Sequence, residues 1–600
     1  MSGSQRKNQS RCRWVVALIL LLHAALLALI GARNSPTMNE VAHLASGLCI
    51  WRSQRLDLYR VNPPLVRAIA ALPVLACSPR LSVPAGRSVG RNRLELSAAA
   101  QFIRLNGPSV FGYCTVARWA CIPFSVIGAL CCYQWARKAY GAKAAFVALV
   151  AWCFSPSILG NASLITNDVP CAALGIVAGY SFWRWLHQPT AWRAALAGLA
   201  LGLAQLSKFT WVMMFALWPM LWLAWRLLPG LARAPSNSAF AFQPNAPPPA
   251  RQLALMLLLS LWVVNAGYNF DGSFARLGDF GFVSRALGGE GAADRPANRF
   301  RGTMLAGIPV PFPKDWVMGI DVQRLDFELP QRAYLRGRWS GHGWWYYYLY
   351  AVGIKEPLGL LLLAGVAVAG ALSGRAGPTA LGCARTSHQF SRRDLLVLLA
   401  PGIGLFVLVS SQTGMNRFMR YVVPALPFLY VFIAGTFARL PMPPPWHAVA
   451  RVGLLVWAVV ASLGTCPHNL SYFNELVGGP AGGPSQLLDA NVDWGQDLLH
   501  LARWHRNHPH ARPFHVEYFG VVEPKLAGIE ARPAACVTPA MRRANVLSQR
   551  RPPGWYAVSV NLLYGFQSFQ PLESCFDDLL ERVPVARAGY SIWIYRVDGP

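Results

Sequence analysis

Eleven apolar runs, each near the length a helix needs to cross a bilayer, fill most of the first 465 residues of this 600-residue chain. They lie at roughly 14–30, 112–134, 143–160, 168–187, 192–207, 209–228, 252–268, 344–373, 394–411, 420–438 and 446–465. A bilayer core takes about 20 apolar residues per helix. Within it, every backbone N–H and C=O must be paired inside the helix itself. The runs predict a mainly α-helical polytopic membrane protein with about 11 transmembrane helices. Composition excludes the soluble alternatives: 54% of residues are hydrophobic and 14% are charged, against about a quarter charged in a soluble chain.

A net charge of +29 would suit nucleic acid if it were gathered in one solvated patch. It is not gathered. Residues 466–600 hold 12 basic and 12 acidic residues, so the excess lies in residues 1–465, with 43 basic against 14 acidic. Bases at the ends of apolar runs are what membrane topology produces, and no nucleic-acid partner is expected. With the N-terminus inside, Arg6, Lys7, Arg11, Arg13, Arg137, Lys138, Lys143, Arg375, Arg385, Arg392 and Arg393 fall on the cytoplasmic side. Among the 14 acids of residues 1–465, only Asp394 joins them. The first run begins like a signal peptide, but Ala28-Leu29-Ile30-Gly31-Ala32-Arg33 is a poor small-x-small cleavage site. It reads as an uncleaved anchor. The expected location is the inner (plasma) membrane, multi-pass.

This topology leaves segments 31–111, 269–343 and 466–600 outside. The chain divides into a transmembrane domain, 1–465, carrying the first two as outer loops, and a C-terminal extracytoplasmic α/β domain, 466–600. The second is read from alternating apolar runs at 515–522, 555–563 and 590–597 and a helix candidate at 496–506. Residues 234–250 form a Pro-rich inside linker. Most of the 13 cysteines sit in apolar runs as small hydrophobes, and no CxxC pair occurs. Cys466, Cys536 and Cys575 in the tail admit one disulfide without requiring it.

The outer segments gather acids and cations. Asn39-Glu40-Val41-Ala42-His43 opens the first loop as a short helix, where residues three or four apart share a face, so Glu40 and His43 point the same way. Asp57 follows, ahead of Tyr59 and Asn62-Pro63-Pro64. Asp168, in Thr166-Asn167-Asp168-Val169-Pro170, sits at the membrane's outer edge, where an ionisable group is costly unless used. A helix N-cap would also account for it, and capping does not exclude chemistry. Lys208, Lys355, Arg417 and Arg420 beside Tyr421 fall on the same face, against the usual bias of short outer loops. Anchoring to lipid headgroups is one reason for such cations; gripping a lipid-linked phosphate is another. Acids and phosphate-gripping cations together suit transfer of a sugar from a lipid phosphate. A carboxylate would take the acceptor hydroxyl's proton as it attacks the anomeric carbon, and cations would stabilise charge on the leaving phosphate. No nucleotide site is needed, and no P-loop or Rossmann glycine fingerprint occurs.

Taken in order, these residues resemble the polyprenyl-phosphate-dependent glycosyltransferases of the GT-C superfamily. The resemblance is to the bacterial family 39 type, related to protein O-mannosyltransferases and lipid A aminoarabinose transferases. The landmarks are Asn39-Glu40-x-x-His43, residues 59–65 with their Asn-Pro-Pro, Thr166 to Pro170, residues 202–209 ending in Lys208-Phe209, Lys355-Glu356-Pro357 and Arg420 to Pro424. In the tail they are Tyr472-Phe473-Asn474-Glu475 and Asp493-Trp494-Gly495-Gln496-Asp497. The resemblance implies a GT-C-like fold and a hexosyltransferase that uses an undecaprenyl- or dolichyl-phosphate sugar, inverts the anomeric carbon and works on the outer face. Its first-loop motif usually reads Asp-Glu, with the Asp as base. Here position 39 is Asn, which cannot accept a proton at working pH.

The catalytic candidates are therefore Glu40, Asp168 and Asp57, with the base open between the first two. The substrate-binding candidates are His43, Asn62, Lys208, Lys355, Arg417, Arg420 and Tyr421. Some relatives hold a divalent metal and others do without; Glu40 and His43 could supply two ligands, short of a closed site, and no metal ligands are assigned. Expected partners are the lipid-linked donor, membrane lipid and a protein, lipid or glycan acceptor. Three other readings remain. A flippase would need polar groups at the bilayer midplane, and few are found: Arg118 and Arg184 lie near predicted span ends or have room to snorkel. A lipid-linked glycan ligase shares the donor chemistry but not these motifs. A non-catalytic membrane sensor is kept open by Asn39.

Overall fold

The computed structural model describes residues 3–86, 92–228, 248–291, 295–329, 331–372, 390–439, 445–534, 551–566 and 575–598. Helices of seven residues or more among them are α1 (Gly3–Arg33), α2 (Glu40–Ser53), α3 (Leu65–Leu75), α4 (Leu94–Asn106), α5 (Ser109–Tyr140), α6 (Ala142–Cys153) and α7 (Pro156–Ala162). Next come α8 (Asp168–His187), α9 (Ala191–Ser207), α10 (Met214–Leu227), α11 (Ala250–Ala266) and α12 (Lys314–Glu328). A hairpin, β1 (Ala333–Leu335) and β2 (Arg338–Ser340), precedes α13 (Tyr347–Lys355), α14 (Leu358–Leu372), α15 (Arg392–Ser410), α16 (Leu426–Ala434) and α17 (Pro445–Leu463). The tail adds α18 (Leu498–Asn507) and strands β3 (Phe514–Glu517), β4 (Gly554–Ser559), β5 (Ala586–Ala588) and β6 (Ile592–Val597).

Each apolar run holds a helix, and two of the runs are broken at a proline. Ser155 caps α7 by accepting the Ile158 N–H at 3.3 Å, and Pro156 opens that helix, where its missing N–H is harmless. The α6–α7 pair is bent by 53° there. The run at 344–373 breaks at Glu356, extended at ψ 146°, because Pro357 disfavours helical backbone in the residue before it. Among the described residues, three stretches taken singly are long and apolar enough to cross a bilayer: Ser10–Arg33, Ser109–Tyr140 and Arg392–Ser410, with α6–α7 a fourth if counted as one span. That is fewer than the eleven runs suggest. A helix such as α14, with 15 residues, rises about 22 Å and needs snorkelling flanks or a thinned bilayer to span.

Small residues allow the helices to pack closely. Gly198 and Gly202 of α9 lie against α11, and a Cβ on Gly198 would sit 2.5 Å from the Met256 carbonyl oxygen, the close approach typical of membrane helix pairs. The chain after α17 does not leave the bundle at once. Ser35 N–H donates to the Gln496 carbonyl at 2.8 Å, Met38 N–H to Trp494 at 3.1 Å, and Asn474 N–H to Ile354 at 2.9 Å. Residues 466–497 thus form an irregular strap threaded through the first loop and the end of α13.

Beyond the strap, the alternating runs become a mixed sheet of order β3-β4-β6-β5. β3 and β4 are parallel, and the other pairs antiparallel. Its inner residues include Tyr556, Val558, Ile592 and Ile594. The fold is mainly helical with a small C-terminal α/β unit, as the apolar runs and the tail's alternation predict. Of the Pro-rich run only 248–250 is described; Arg375, Arg385 and Cys536 lie outside the described residues. Cys575 is disulfide-bonded and Cys466 is a free thiol.

Candidate active site

The turn between α7 and α8, the start of α2, the end of α9 and the approach to α16 meet at one end of the bundle. Glu40 opens α2 and is fully buried. Its Oε1 accepts from Arg118 Nε at 2.8 Å and from the Ile165 N–H at 2.8 Å; its Oε2 accepts from Arg118 Nη2 at 2.5 Å and the Thr37 N–H at 2.8 Å. A carboxylate has about four acceptor sites, so Glu40 has none to spare for an acceptor hydroxyl or a metal ion.

Arg118 corrects one expectation. It does not snorkel. Its side chain is 1% exposed, and its remaining N–H groups reach the carbonyls of Gly31 and Asn34, at 2.7 and 2.6 Å, and of Ser35, at 2.7 Å. All five guanidinium donors are used. Nothing but its place inside an apolar run marked Arg118 in the sequence, and that signal points to function or structure alike.

Asp168 is the first residue of α8, and it does not act as a cap. Its Oδ1 accepts from Lys208 Nζ at 2.7 Å and its Oδ2 from Arg420 Nη1 at 3.2 Å. Arg420 is sandwiched by rings, with its guanidinium carbon 4.4 Å from the Trp494 centroid and 5.3 Å from that of Tyr421. Lys208 Nζ lies 4.9 Å from the same Tyr421 ring. Residues 40 positions apart, one opening α8 and one just past the end of α9, and a third beyond position 400 thus form one charged group with one anion and two cations.

Lys355 faces the same space from the end of α13. It lines a small cavity together with Arg420, Ser157, Asn161, Asn469 and Asn491. Its Nζ donates to the carbonyls of Leu470 and Asn491, at 2.8 and 2.6 Å, and is held by no carboxylate there. His43 stacks on Tyr59 with ring centroids 4.5 Å apart, and its Nδ1 is buried without a hydrogen-bond partner. Burial first, then the charges of Arg67 and Arg420, lower its pKa to about 3, so it stands in the site as a neutral imidazole.

Other candidates are engaged elsewhere. Asp57 is gripped by Arg55 through both oxygens, at 2.6 and 3.0 Å. Arg417 pairs with Asp489 at 2.7 Å and donates to Gln331 at 2.6 Å. Asn62 offers its carbonyl to Arg67 Nη1 at 2.5 Å. Two strap residues, Asp489 and Asn491, carry no signal in the sequence reading, and Trp494 enters it only within a landmark motif and not as a site candidate. Asn491 bridges the Arg417 carbonyl, at 2.7 Å, and the Met419 N–H, at 2.9 Å. Trp494 covers Arg420. The Asp493–Asp497 motif hinted at this stretch, but only the folded strap brings it beside Arg420.

Residues 109–230 match the family described as dolichyl-phosphate-mannose-protein mannosyltransferase. No curated protein matches the chain. Among solved structures, the chain is similar to ArnT from Cupriavidus metallidurans bound to undecaprenyl phosphate, with 13% identity, TM-score 0.45 and 97% of each chain covered. It is also similar to the Archaeoglobus fulgidus oligosaccharyltransferase, with 13% identity, TM-score 0.39, and 91% of this chain and 70% of that one covered. A mycobacterial arabinofuranosyltransferase, AftD, gives 14% identity and TM-score 0.39, covering 98% of this chain and 40% of that one.

Proposed function

We propose, from the match of residues 109–230 to the dolichyl-phosphate-mannose-protein mannosyltransferase family, that the chain transfers a hexose from an undecaprenyl- or dolichyl-phosphate donor to an acceptor hydroxyl, with inversion. The observation that carries the reading is the Asp168 group. Asp168 neutralises only one of Lys208 and Arg420, and Lys355 faces the same cavity as Arg420. The surplus positive charge suits a phosphate that gains negative charge as the sugar leaves. In the step, the acceptor oxygen bonds to the anomeric carbon from the face opposite the phosphate. The bond from that carbon to the phosphate oxygen breaks, and its electron pair stays on the phosphate.

A carboxylate bonded to two cations is a weak base. Donor phosphate competes for Arg420 and Lys208, and drawing them away leaves Asp168 with free lone pairs to take the hydroxyl proton. Gripping the leaving group and freeing the base are then one event. Glu40, with every acceptor site filled, is a positioning residue: through Ile165 it ties the first loop to the turn that carries Asp168. The absent Asp at position 39 is made good from across the cavity.

The reacting face is proposed to be the extracytoplasmic one. The acid distribution supports this, and so does the disulfide at Cys575, since disulfides persist in oxidising compartments. The deciding experiment gives purified protein a panel of polyprenyl-phosphate sugars with hydroxyl-bearing peptide, lipid and glycan acceptors. Release of lipid phosphate coupled to a glycosylated product of inverted anomeric configuration is expected for one donor. Lipid phosphate release equal in wild type and Asp168→Asn would overturn the assignment.

A further inference from the structure

We infer that His468, Asp497 and His500 form a transition-metal site, best suited to zinc, where the first loop meets the C-terminal strap. Each residue offers one ligand atom, and the three atoms lie within 4.8 Å of one another. His468 Nδ1 is 3.0 Å from Asp497 Oδ1, and the two imidazole rings have centroids 4.5 Å apart. Bonds of roughly 2.0–2.1 Å in a tetrahedral zinc site place ligand atoms about 3.3 Å apart. Small side-chain rotations close the difference.

The surroundings orient the donors as metal ligands are oriented. A ligating imidazole usually donates its other N–H to a carbonyl or carboxylate, and His500 Nε2 lies 3.2 Å from Asn34 Oδ1. That bond puts the proton on Nε2 and the lone pair on Nδ1. Asp497 is fully buried, and its Oδ2 accepts the backbone N–H groups of Tyr590 and Ser591, at 3.2 and 3.1 Å, which aims Oδ1 at the histidines. A His–Asp hydrogen bond alone would explain His468 and Asp497 but not the second imidazole packed on the first. His468 is 17% exposed, which gives an ion a way in.

Two imidazoles and one carboxylate favour zinc or a neighbouring first-row metal; magnesium and calcium take oxygen ligands. The positive charge of Arg503 and Arg33 also bears on His500. An ion must therefore be held by coordination rather than by net charge. The three-ligand set leaves a tetrahedral position open, as in zinc sites that keep a water. Its consequence is mechanical. The Asn34 side chain meets His500, while its carbonyl is held by Arg118, the partner of Glu40. A bound ion would latch the segment carrying Glu40 onto the strap that carries Trp494.

The test uses full-length protein in detergent, stripped with a chelator and titrated with cobalt(II) or zinc. Wild type is expected to bind one equivalent at this site, with the visible absorption of tetrahedral cobalt, and to unfold at higher temperature with zinc. His468→Ala and His500→Gln should each lose the absorption and the zinc-dependent shift, whereas His43→Ala keeps both. Should one variant fail to fold, the other carries the test, since His500 lies partly exposed. The proposal is overturned if wild type shows no tetrahedral cobalt absorption. It is also overturned if a folded His468 or His500 variant keeps the signal, or if His43→Ala alone abolishes it.

Discussion

Replacing Glu40 with Gln separates a positioning carboxylate from a proton acceptor. In the wild type, each Glu40 oxygen accepts two N–H groups, one from Arg118 and one from the backbone. A Gln side chain converts one oxygen into an NH2 donor. Whichever way it turns, that donor faces an Arg118 N–H and a backbone N–H, from Ile165 or from Thr37. Arg118 is left as a buried guanidinium with no counter-charge. Breaking a buried ion pair from one side costs about 3–5 kcal/mol, so Glu40→Gln should lower the unfolding temperature clearly. Adding Arg118→Met removes the stranded charge, and the double variant should lose less than the two single variants combined. Tryptophan fluorescence during heating of detergent-solubilised protein reads this, at one fixed scan rate because such unfolding is often irreversible. Turnover is measured on the same samples below the transition. If Glu40→Gln unfolds like wild type yet loses 10²–10⁴-fold in turnover, the loss is the size expected for a general base. Glu40 would then be that base, and the argument from filled acceptor sites would be wrong.

Asp168→Asn should reduce turnover by about 10²–10⁴-fold. Donor affinity should hold or tighten, since Lys208 and Arg420 are released to bind phosphate; weakened donor binding would contradict the competition model. Arg420→Ala, and separately Lys355→Ala, should weaken donor binding by about 1–3 kcal/mol each, and unchanged affinity in both would reduce them to structural cations. Asn39→Asp should leave activity unchanged or raise it, and a gain from an inactive wild type would mark the chain as a binding-only relative. His43, at about 3 in the fold against 6.5 unfolded, gives a pH prediction. Below pH 6.5 the unfolded chain takes up a proton that the folded one refuses, so stability is retained above 6.5 and falls toward pH 3, by at most about 1.4 kcal/mol per pH unit. His43→Phe should flatten that part of a stability–pH profile.

What the sequence by itself determined was the class of fold and where along it the charged candidates fall. Apolar runs can only be satisfied as helices in lipid, and alternation at 555–563 and 590–597 becomes β4 and β6 because a period of two places one face in a core. Acids and cations at one edge of those runs single out Glu40, Asp168, Lys208 and Arg420 as candidates from sequence alone. Ser155-Pro156 and Pro357 end α6 and α13 inside runs that apolarity alone reads as continuous.

The partnerships were decided by tertiary structure alone. Glu40 and Asp168 looked equivalent as candidate bases, yet one is tied to Arg118, 78 positions away, and the other to Lys208 and Arg420, 40 and 252 positions away. Arg118 looked free to snorkel until α1, α2 and α5 closed around it. Asn491 and Trp494 reach Arg417 and Arg420 only because the strap threads back to the end of α13, and His468 meets Asp497 and His500 by the same route. A side chain's acceptor capacity is a property of its residue type. Which donors fill it depends on contacts far apart in the chain, and those are set when the whole bundle packs.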